Sequence, residues 1–560
     1  MLRICLFLSL VVAFSLPASG QPTHDSPILT EQGLVFPDGA RIPRFMTEVE
    51  RLYWERNPPP GPRGGGPTPT EPFRAVAEYE PMDGLCISWE GGSGLTSILA
   101  QMARHITDPA SGNANLYVAC DSATVRNAAI TSLTSTGTDM SRVSFIIRTM
   151  DSVWIRDYGP RYIYEGECRA IVDHVYNRPR PNDNTFPIAF STFKHHAIYQ
   201  LPLVHGGGNY HLDANGGAFC TRLVNNENNG GTDQYNYTEQ QIHDLWMDYQ
   251  ACDTHFYDPF PTTIDSTQHI DMWMQVAGDT TVIISDWPAA SGSTQDVICD
   301  NAAVYMASRG FTVHRIPAYS VSGVHYTYTN VVICNNLVLV PQYTNGTVSP
   351  SNATAITTWQ AAMPGKTVVG INCQNIVSLA GVMHCIVMHV PAHLGGVNPT
   401  AHLCTLRGGE TLNPGDAATI RWISDDDVAV SNVDLLLSTD GGATWPTTIA
   451  AATADDGEFG WTVPDVYTTE ARIRVVARDA SGNTGFDESP ADFTINGTRP
   501  DCPADLDGDA SVGIADLAIL LSNFGTASGA TAEGGDLDGD EDVDISDLAV
   551  LLGVFGTACP

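Results

Sequence analysis

Trp154-Ile155-Arg156-Asp157-Tyr158-Gly159-Pro160 packs an indole, an arginine and a carboxylate into seven residues and ends on a turn signal. Four further polar motifs follow it: Asn177-Arg178-Pro179-Arg180-Pro181-Asn182-Asp183, His269-Ile270-Asp271, Tyr328-Thr329-Asn330 and His384-Cys385. Short apolar strand candidates run alongside them, among them Asn115 to Ala119, Val143 to Arg148, Thr281 to Ser285 and Leu337 to Val340. These alternate with helical patterns and with turns such as Gly206-Gly207-Gly208, which predicts an α/β domain with the motifs at strand ends and loops. Together the motifs supply a thiol, an imidazole, two carboxylates and an arginine pair. That set suits attack on a carbon held inside a cation: the carboxylates hold the cation, the thiol is the nucleophile and the imidazole moves protons.

A chain of 560 residues is too long for one core and suggests about three domains. The first twenty residues read as a signal peptide, with Arg3 as the charged start, an apolar stretch from Ile4 to Leu16 and the small-residue exit Pro17-Ala18-Ser19-Gly20. That apolar run is too short to span a bilayer, and no later stretch is long enough, so the expectation is a secreted or cell-surface protein without a membrane span. The net charge of -36 argues against nucleic acid and anionic membrane surfaces as partners. It suits a cationic substrate, although an acidic surface also keeps an exported protein in solution. Among the thirteen cysteines there is no Cys-x-x-Cys and no zinc spacing. Most, such as Cys120 and Cys334, lie in apolar strands as buried thiols, while Cys502 and Cys559 bracket the last module and suit a clip in an oxidising compartment.

Residues 21–72 form an N-terminal segment ending in a Pro/Gly-rich linker, Asn57 to Pro72, expected as a disordered or extended arm. The α/β domain is placed at 73–400. Residues 401–498 alternate as strands, clearly in Ala417-Ala418-Thr419-Ile420-Arg421-Trp422, and predict an all-β immunoglobulin-like sandwich. Its Ser438-Thr439-Asp440-Gly441-Gly442-Ala443-Thr444-Trp445 resembles a sialidase Asp-box but reads as a hairpin turn with a packed tryptophan.

Residues 499–560 are a duplication: Asp505-Leu506-Asp507-Gly508-Asp509 recurs thirty-one residues later as Asp536-Leu537-Asp538-Gly539-Asp540. Side-chain oxygens fall at calcium-loop positions 1, 3, 5 and 12, from Asp505, Asp507, Asp509 and Asp516, then Asp536, Asp538, Asp540 and Asp547. Ser511 and Asp542 stand at the seventh position, where a backbone carbonyl ligates. The glycine usual at position 6 is replaced by Ala510 and Glu541. The module resembles a type I dockerin, which implies calcium as its ligand and a cohesin-like or cell-surface partner.

A guanidinium is always protonated, and its planar N–H fork matches carboxylates bidentately. Taken singly, each candidate residue has an ordinary structural reading; the ordered combination is what is specific. Trp154 to Pro160, Gly207-Gly208-Asn209-Tyr210 with Asp213, His269-Ile270-Asp271, Tyr328-Thr329-Asn330 with Pro341, and His384-Cys385 with Pro391 resemble the agmatine deiminase and Porphyromonas-type bacterial peptidylarginine deiminase family. The resemblance implies a pentein fold, a five-bladed α/β propeller with a central site that needs no cofactor for catalysis. It implies Cys385 as nucleophile, His269 as general acid and base, Asp157 and Asp271 as guanidinium clamps, Asn330 as an orienting group and Trp154 as a tunnel wall. In the peptidylarginine branch an arginine pair in a Tyr-Asn-Arg-Pro-Arg-Pro-Asn-Asp stretch holds the carboxylate of a C-terminal arginine; here that stretch is Tyr176 to Asp183, carrying Arg178 and Arg180. The implied substrate is an arginine-containing peptide or a small guanidine. The alternatives are agmatine deimination to N-carbamoylputrescine, and a non-catalytic calcium-dependent binding protein. Ser266-Thr267-Gln268 ahead of His269 departs from the secreted enzyme's pattern and alters the expected substrate entrance.

Overall fold

The computed structural model describes residues 24–58, 66–230, 235–498 and 502–559. The signal peptide expected at 1–20 and residues 59–65 of the linker lie outside them. Two compact units are present: residues up to 392 without 166–168, and residues 166–168 with 393 onward. The expected boundary at residue 400 therefore moves back, because Thr400–Leu403 is already a strand paired with Ala417–Asp425 of the second unit.

The first unit repeats one βαβ device. Cys168–Tyr176 runs parallel to Ala197–His205, Gly217–Thr221 to Asp253–Tyr257, Thr281–Asp286 to Thr312–Pro317, Leu337–Gln342 to Thr367–Asn372, and Met82–Ser88 to Asn115–Cys120. A helix crosses between the strands of every pair; Gly92–Thr107 shows why, since Leu95, Ile98, Leu99, Met102 and Ile106 recur at helical spacing and are all buried. The paired strands are near-continuous apolar runs, as Leu337-Val338-Leu339-Val340 illustrates, because such sheets are covered on both faces. The predicted strands extend one or two residues further in three cases, to Cys120, Asp286 and Gln342.

Each of the five sheets also holds a further strand, and a polar motif stands just before it. Asp157 precedes Arg161–Glu165, Gly207–Asn209 precedes His211–Leu212, His269 and Asp271 precede Met274–Gly278, Asn330 precedes Val332–Cys334, and Cys385 precedes Met388–Pro391. Met388–Pro391 then pairs antiparallel with Met82–Ser88, joining the end of the unit to its beginning. Equivalent positions in five similar sheets thus deliver one polar loop each.

Residues 24–58, expected only as a leading segment, belong to this first unit. They form the hairpin Ile28–Thr30 with Gly33–Val35, an irregular run through Arg44, and the helix Glu48–Arg56. Thr47 starts the helix with a capping box: its hydroxyl accepts from the Glu50 N–H, and its own N–H donates to Glu50 Oε2 at 2.7 Å.

The second unit is mostly β. One sheet joins Thr400–Leu403, Ala417–Asp425 and Glu458–Thr462; a larger one centres on Tyr467–Asp479 beside Val430–Ser438. Trp422, Leu435, Trp461, Ile473, Val475 and Phe493 fill its core. The Asp440–Trp445 stretch turns between the antiparallel strands Val430–Ser438 and Thr447–Thr453, with the Arg474 guanidinium 4.1 Å from the centre of the Trp445 ring. Beyond it, helices Ile514–Asn523 and Ile545–Gly553 pack around Val512, Leu520, Val543 and Leu551, and a disulfide joins Cys502 to Cys559. Cys120 and Cys334 are buried thiols. Among the described residues no helix is long and apolar enough to cross a membrane.

Candidate active site

The five loops converge on one guanidinium, and it belongs to the chain itself. Asp157 grips the side chain of Arg44 bidentately, accepting from Nε at 2.8 Å and from Nη2 at 2.7 Å. Asp271 takes Nη1 and Nη2 at 2.9 Å each. Cys385 Sγ lies 2.7 Å from Nη1, and His269 Nδ1 lies 2.8 Å from Nη2. Arg44, His269, Asp271 and Cys385 are completely buried, and Asp157 all but completely.

Local geometry explains why these loops fit. A Cβ on Gly208 would stand 1.9 Å from Arg44 Nη2 and 2.6 Å from Asp271 Oδ2, so only glycine lets its backbone approach, and its N–H reaches Asp157 Oδ1 at 3.1 Å. Asn209 Oδ1 accepts from Thr221 N and from Ile270 N, at 3.0 and 3.1 Å, which ties the glycine turn to the His269–Asp271 loop. Asn330 donates to Cys385 Sγ at 3.1 Å and accepts from His384 N at 3.1 Å, fixing the thiol. Behind Asp271 stands His384, with Nδ1 3.0 Å from Asp271 Oδ2 and Nε2 3.0 Å from Glu78; Arg156 then pairs with Glu78 at 2.6 Å. Glu78, His211 and His384 are close enough together to hold an ion, but Arg156 already supplies the positive charge that Glu78 needs.

The electrostatics follow from burial and charge. Burial would raise Asp157 and Asp271, yet Arg44 together with His269 at the first and His384 at the second holds both below the usual carboxylate range. Burial would lower Arg44, but the two carboxylates keep it well above its ordinary value. Burial holds the Cys385 thiol well above its ordinary value, Asp271 and Asp157 add to the rise, and the Arg44 cation opposes it without cancelling it.

The sequence-predicted groups Cys385, His269, Asp157, Asp271 and Asn330 are therefore brought together. Trp154 is buried beside them, its indole N–H donating to Ile42 O at 2.9 Å. Arg178 and Arg180 meet peptide backbone: Arg178 Nε donates to Arg44 O at 3.2 Å, and Arg180 Nη2 to Pro43 O at 2.8 Å. Arg180 also pairs through Nε with Glu50 Oε1 at 2.7 Å, both side chains being fully buried. Sequence reasoning missed Arg44, Glu50, Glu78 and the part played by His384. Arg44 lies in Ile42-Pro43-Arg44-Phe45, which carries no motif. Thr47 and Glu50 do stand at capping-box spacing, a signal that could have marked a helix start but names no partner for the carboxylate.

In the tail, Asp505, Asp507, Asp509 and Asp516 bring carboxylate oxygens within 4.8 Å of one another, as do Asp536, Asp538 and Asp540. Asp516 and Asp547 each accept N–H groups from their own loop, Asp516 from Leu506 and Asp507, Asp547 from Leu537 and Asp538. Asp547 groups with Asp542 and Asp544 rather than with the first three of its loop. Ala510 and Glu541, where glycine was expected, take that residue's left-handed conformation, with φ of 71° and 70°. The carboxylate-rich donor set is the kind calcium takes, and Ser511 and Asp542 keep the seventh position.

Comparison with known proteins gives the same picture. The family model for Porphyromonas-type peptidyl-arginine deiminase matches residues 74–391, more than half of the chain. A candidate agmatine deiminase of Streptomyces avermitilis is 24% identical over 57% of this chain and 97% of its own length, and one from Shewanella frigidimarina is 26% identical over 45% and 77%. Among solved structures, the agmatine deiminase of Enterococcus faecalis superposes with a TM-score of 0.51 at 18% identity, covering 60% of this chain and all of that one. A candidate arginine deiminase of Porphyromonas gingivalis gives 0.50 at 18% identity, over 57% and 99%. These superpositions establish the α/β fold, and the curated relatives and family model mark a hydrolase acting on amidine C–N bonds. The loops that close on the Arg44 guanidinium all lie inside the matched span, and the chain belongs to the Porphyromonas-type peptidyl-arginine deiminase family.

Proposed function

We propose that the chain is a secreted peptidylarginine deiminase that converts a C-terminal arginine to citrulline and ammonia. One observation carries the reading: the bound guanidinium is attached to a peptide, and the site grips that peptide. Trp154, Arg180 and Arg178 each donate to a backbone carbonyl, of Ile42, Pro43 and Arg44 in turn. Agmatine has no such carbonyl. In a C-terminal arginine a carboxylate would take the place of the Arg44 carbonyl at Arg178, within reach of Arg180, and charge would strengthen both contacts.

The chemistry uses the groups in place. Asp157 and Asp271 hold the guanidinium flat against Cys385. The bound cation works against the rise that burial imposes on the Cys385 thiol, and the thiolate is the form that attacks. Sγ bonds to the guanidinium carbon, the C–N bond to the amino group facing His269 breaks, and that nitrogen leaves as ammonia with a proton from the imidazole. Water, deprotonated by His269, adds to the thiouronium carbon; the C–S bond breaks and a ureido group remains. Asn330 orients the thiol, and no metal or organic cofactor enters these steps.

We further infer that the five sheets are the blades of a propeller, that the second unit's sheets form an immunoglobulin-like sandwich, and that the tail is a calcium-ordered attachment module of dockerin type. Supporting the last are the paired acidic loops and the exposure of Ile514 and Ile545, at 79% and 70%, in corresponding positions of the two helices. Such apolar positions suit a cohesin-like or cell-surface partner.

Ammonia release from agmatine, free arginine, and peptides ending in or containing arginine tests the substrate reading, with Arg44→Gln protein so that the site is open. Preference for peptides ending in arginine supports it. Preference for agmatine replaces it with the agmatine reading, and equal rates on amidated and free peptides with an internal-arginine reading.

A further inference from the structure

We propose that Arg44 is the chain's own substrate: the site deiminates it in cis, and the loss of its charge opens the active centre. The inference rests on the reading of this site as a guanidine-hydrolysing centre. A structural buried ion pair would need only the two carboxylates. Here the thiol and the imidazole also stand on the same guanidinium, at 2.7 and 2.8 Å, so all four reacting or clamping groups address one side chain. While Arg44 is there, no other guanidine can enter.

The segment also solves a problem of specificity. Arg44 is an internal residue, and the arginine pair is read as a clamp for a terminal carboxylate. Glu50, held by its capping box six residues on, brings a carboxylate to Arg180 at 2.7 Å, while the Arg44 carbonyl occupies Arg178 at 3.2 Å. Guanidinium and carboxylate thus arrive together from one short segment, and both arginines of the pair are engaged. Tethering makes the encounter intramolecular, so it needs no affinity from the flanking sequence.

The step balances with water as the only co-reactant. Cys385 Sγ bonds to Cζ; the Cζ–Nη2 bond breaks, and Nη2 leaves as ammonia with the proton from His269. Water then adds to Cζ, Sγ departs, and an oxygen replaces Nη2. His269 Nε2, buried and without a hydrogen-bond partner, leaves the far side of the ring for a proton donor or water. The new oxygen would sit where Nη2 now contacts Asp157 Oδ1 and Asp271 Oδ2, at 2.7 and 2.9 Å. An acceptor would then face two acceptors, and two buried carboxylates would lose their counter-charge. The neutral side chain is driven out, and the vacated clamp favours an incoming cation.

The test is mass mapping of residue 44 in the full chain, purified in parallel as wild type, Cys385→Ala and Arg44→Gln, with conversion followed in heavy-oxygen water and ammonia release measured on a peptide ending in arginine. Expected are citrulline at position 44 in wild type, its extent independent of protein concentration, and intact Arg44 in Cys385→Ala even after mixing with active enzyme. Wild type containing unconverted Arg44 should show a lag that Arg44→Gln lacks. Arg44 that stays intact in wild type while Arg44→Gln deiminates the peptide overturns the inference and leaves the proposed activity standing. Conversion in Cys385→Ala, or a rate that rises with protein concentration, overturns it as well. Silence of both wild type and Arg44→Gln on every guanidine tested removes the proposed activity, and the inference with it.

Discussion

Nη1 of Arg44 and Sγ of Cys385 stand 2.7 Å apart, with Asn330 holding the same sulfur from another loop at 3.1 Å. On the proposed mechanism, that puts the cation and the attacking sulfur in contact before any substrate is added. Cys385→Ala is therefore expected to abolish ammonia release while circular dichroism and melting stay unchanged, since among the described residues no other thiol reaches the guanidinium. A haloacetamidine probe should label Cys385, and label it faster in Arg44→Gln than in wild type, because the probe competes with Arg44 for the clamp. Turnover by the alanine variant would sink the thiouronium mechanism.

Asp157 makes two charge-assisted contacts with one guanidinium. Asp157→Asn keeps the shape but removes the charge and one acceptor. With each such contact contributing roughly 1.5–3 kcal/mol, kcat/KM should fall by at least one to two orders of magnitude in the Arg44→Gln background. Steady-state kinetics on a peptide ending in arginine measures this. A variant within a factor of about two of its parent would show that Asp271 alone carries the cation.

Arg178 touches the carbonyl of the bound arginine, whereas Arg180 is shared with Glu50. In the Arg44→Gln background, Arg178→Ala should cut turnover of a peptide ending in free arginine by about one to two orders of magnitude. The same peptide with an amidated end should be poor already and lose little more. Equal losses on both peptides would mean that Arg178 reads backbone and not a terminal carboxylate.

How much of this was legible in the sequence depended on whether the signal was local. Asp157, His269, Asp271, Asn330 and Cys385 carry distinctive flanks, and the apolar strand runs and the duplicated acidic loops show as periodicity, so these could be read directly. Arg44 has no such flank; its role exists only because five distant loops close on it, over separations from 113 residues for Asp157 to 341 for Cys385. Glu50 stands at capping-box spacing from Thr47, a cue that was not read, and its second partner, Arg180, is 130 residues away. The Ala510 and Glu541 substitutions looked like damage to a calcium loop. Both residues nevertheless adopt the positive φ that the turn demands, because the flanking aspartates accept the loop's own N–H groups.

Glu90 offers a pH test independent of catalysis. It is buried close after the strand Met82–Ser88, and burial together with the Asp121 and Asp183 carboxylates pushes it up to about 9 from an ordinary value of 4.5. The folded chain then keeps a proton that the unfolded chain releases, so stability is present in full below about 4.5 and declines as the pH rises towards about 9. Glu90→Gln holds the shape of the protonated side chain and should flatten that decline in urea melts taken near the two ends of the window. Parallel pH slopes for wild type and variant would show that Glu90 is not protonated in the native state.

The tail gives the last prediction. Asp505, Asp507 and Asp509 converge with Asp516, and Asp536 converges with Asp538 and Asp540, in a stretch from 502 to 559 that contains no lysine or arginine. Partial desolvation and the neighbouring carboxylates of Asp540 and Asp547 already raise Asp538 above its ordinary value, the signature of like charges forced together. A divalent cation would relieve that repulsion, and oxygen-only donors select calcium over softer metals. In the full chain, calcium should protect the region after residue 502 from limited proteolysis, and chelator should expose it. Asp505→Ala with Asp536→Ala should abolish the protection. Deimination by the Arg44→Gln protein should be the same with calcium and with chelator, since none of the groups on the guanidinium needs a metal. A tail equally resistant to protease under both conditions would remove calcium from the assignment; a loss of deimination in chelator would mean that the ion acts on the catalytic unit instead.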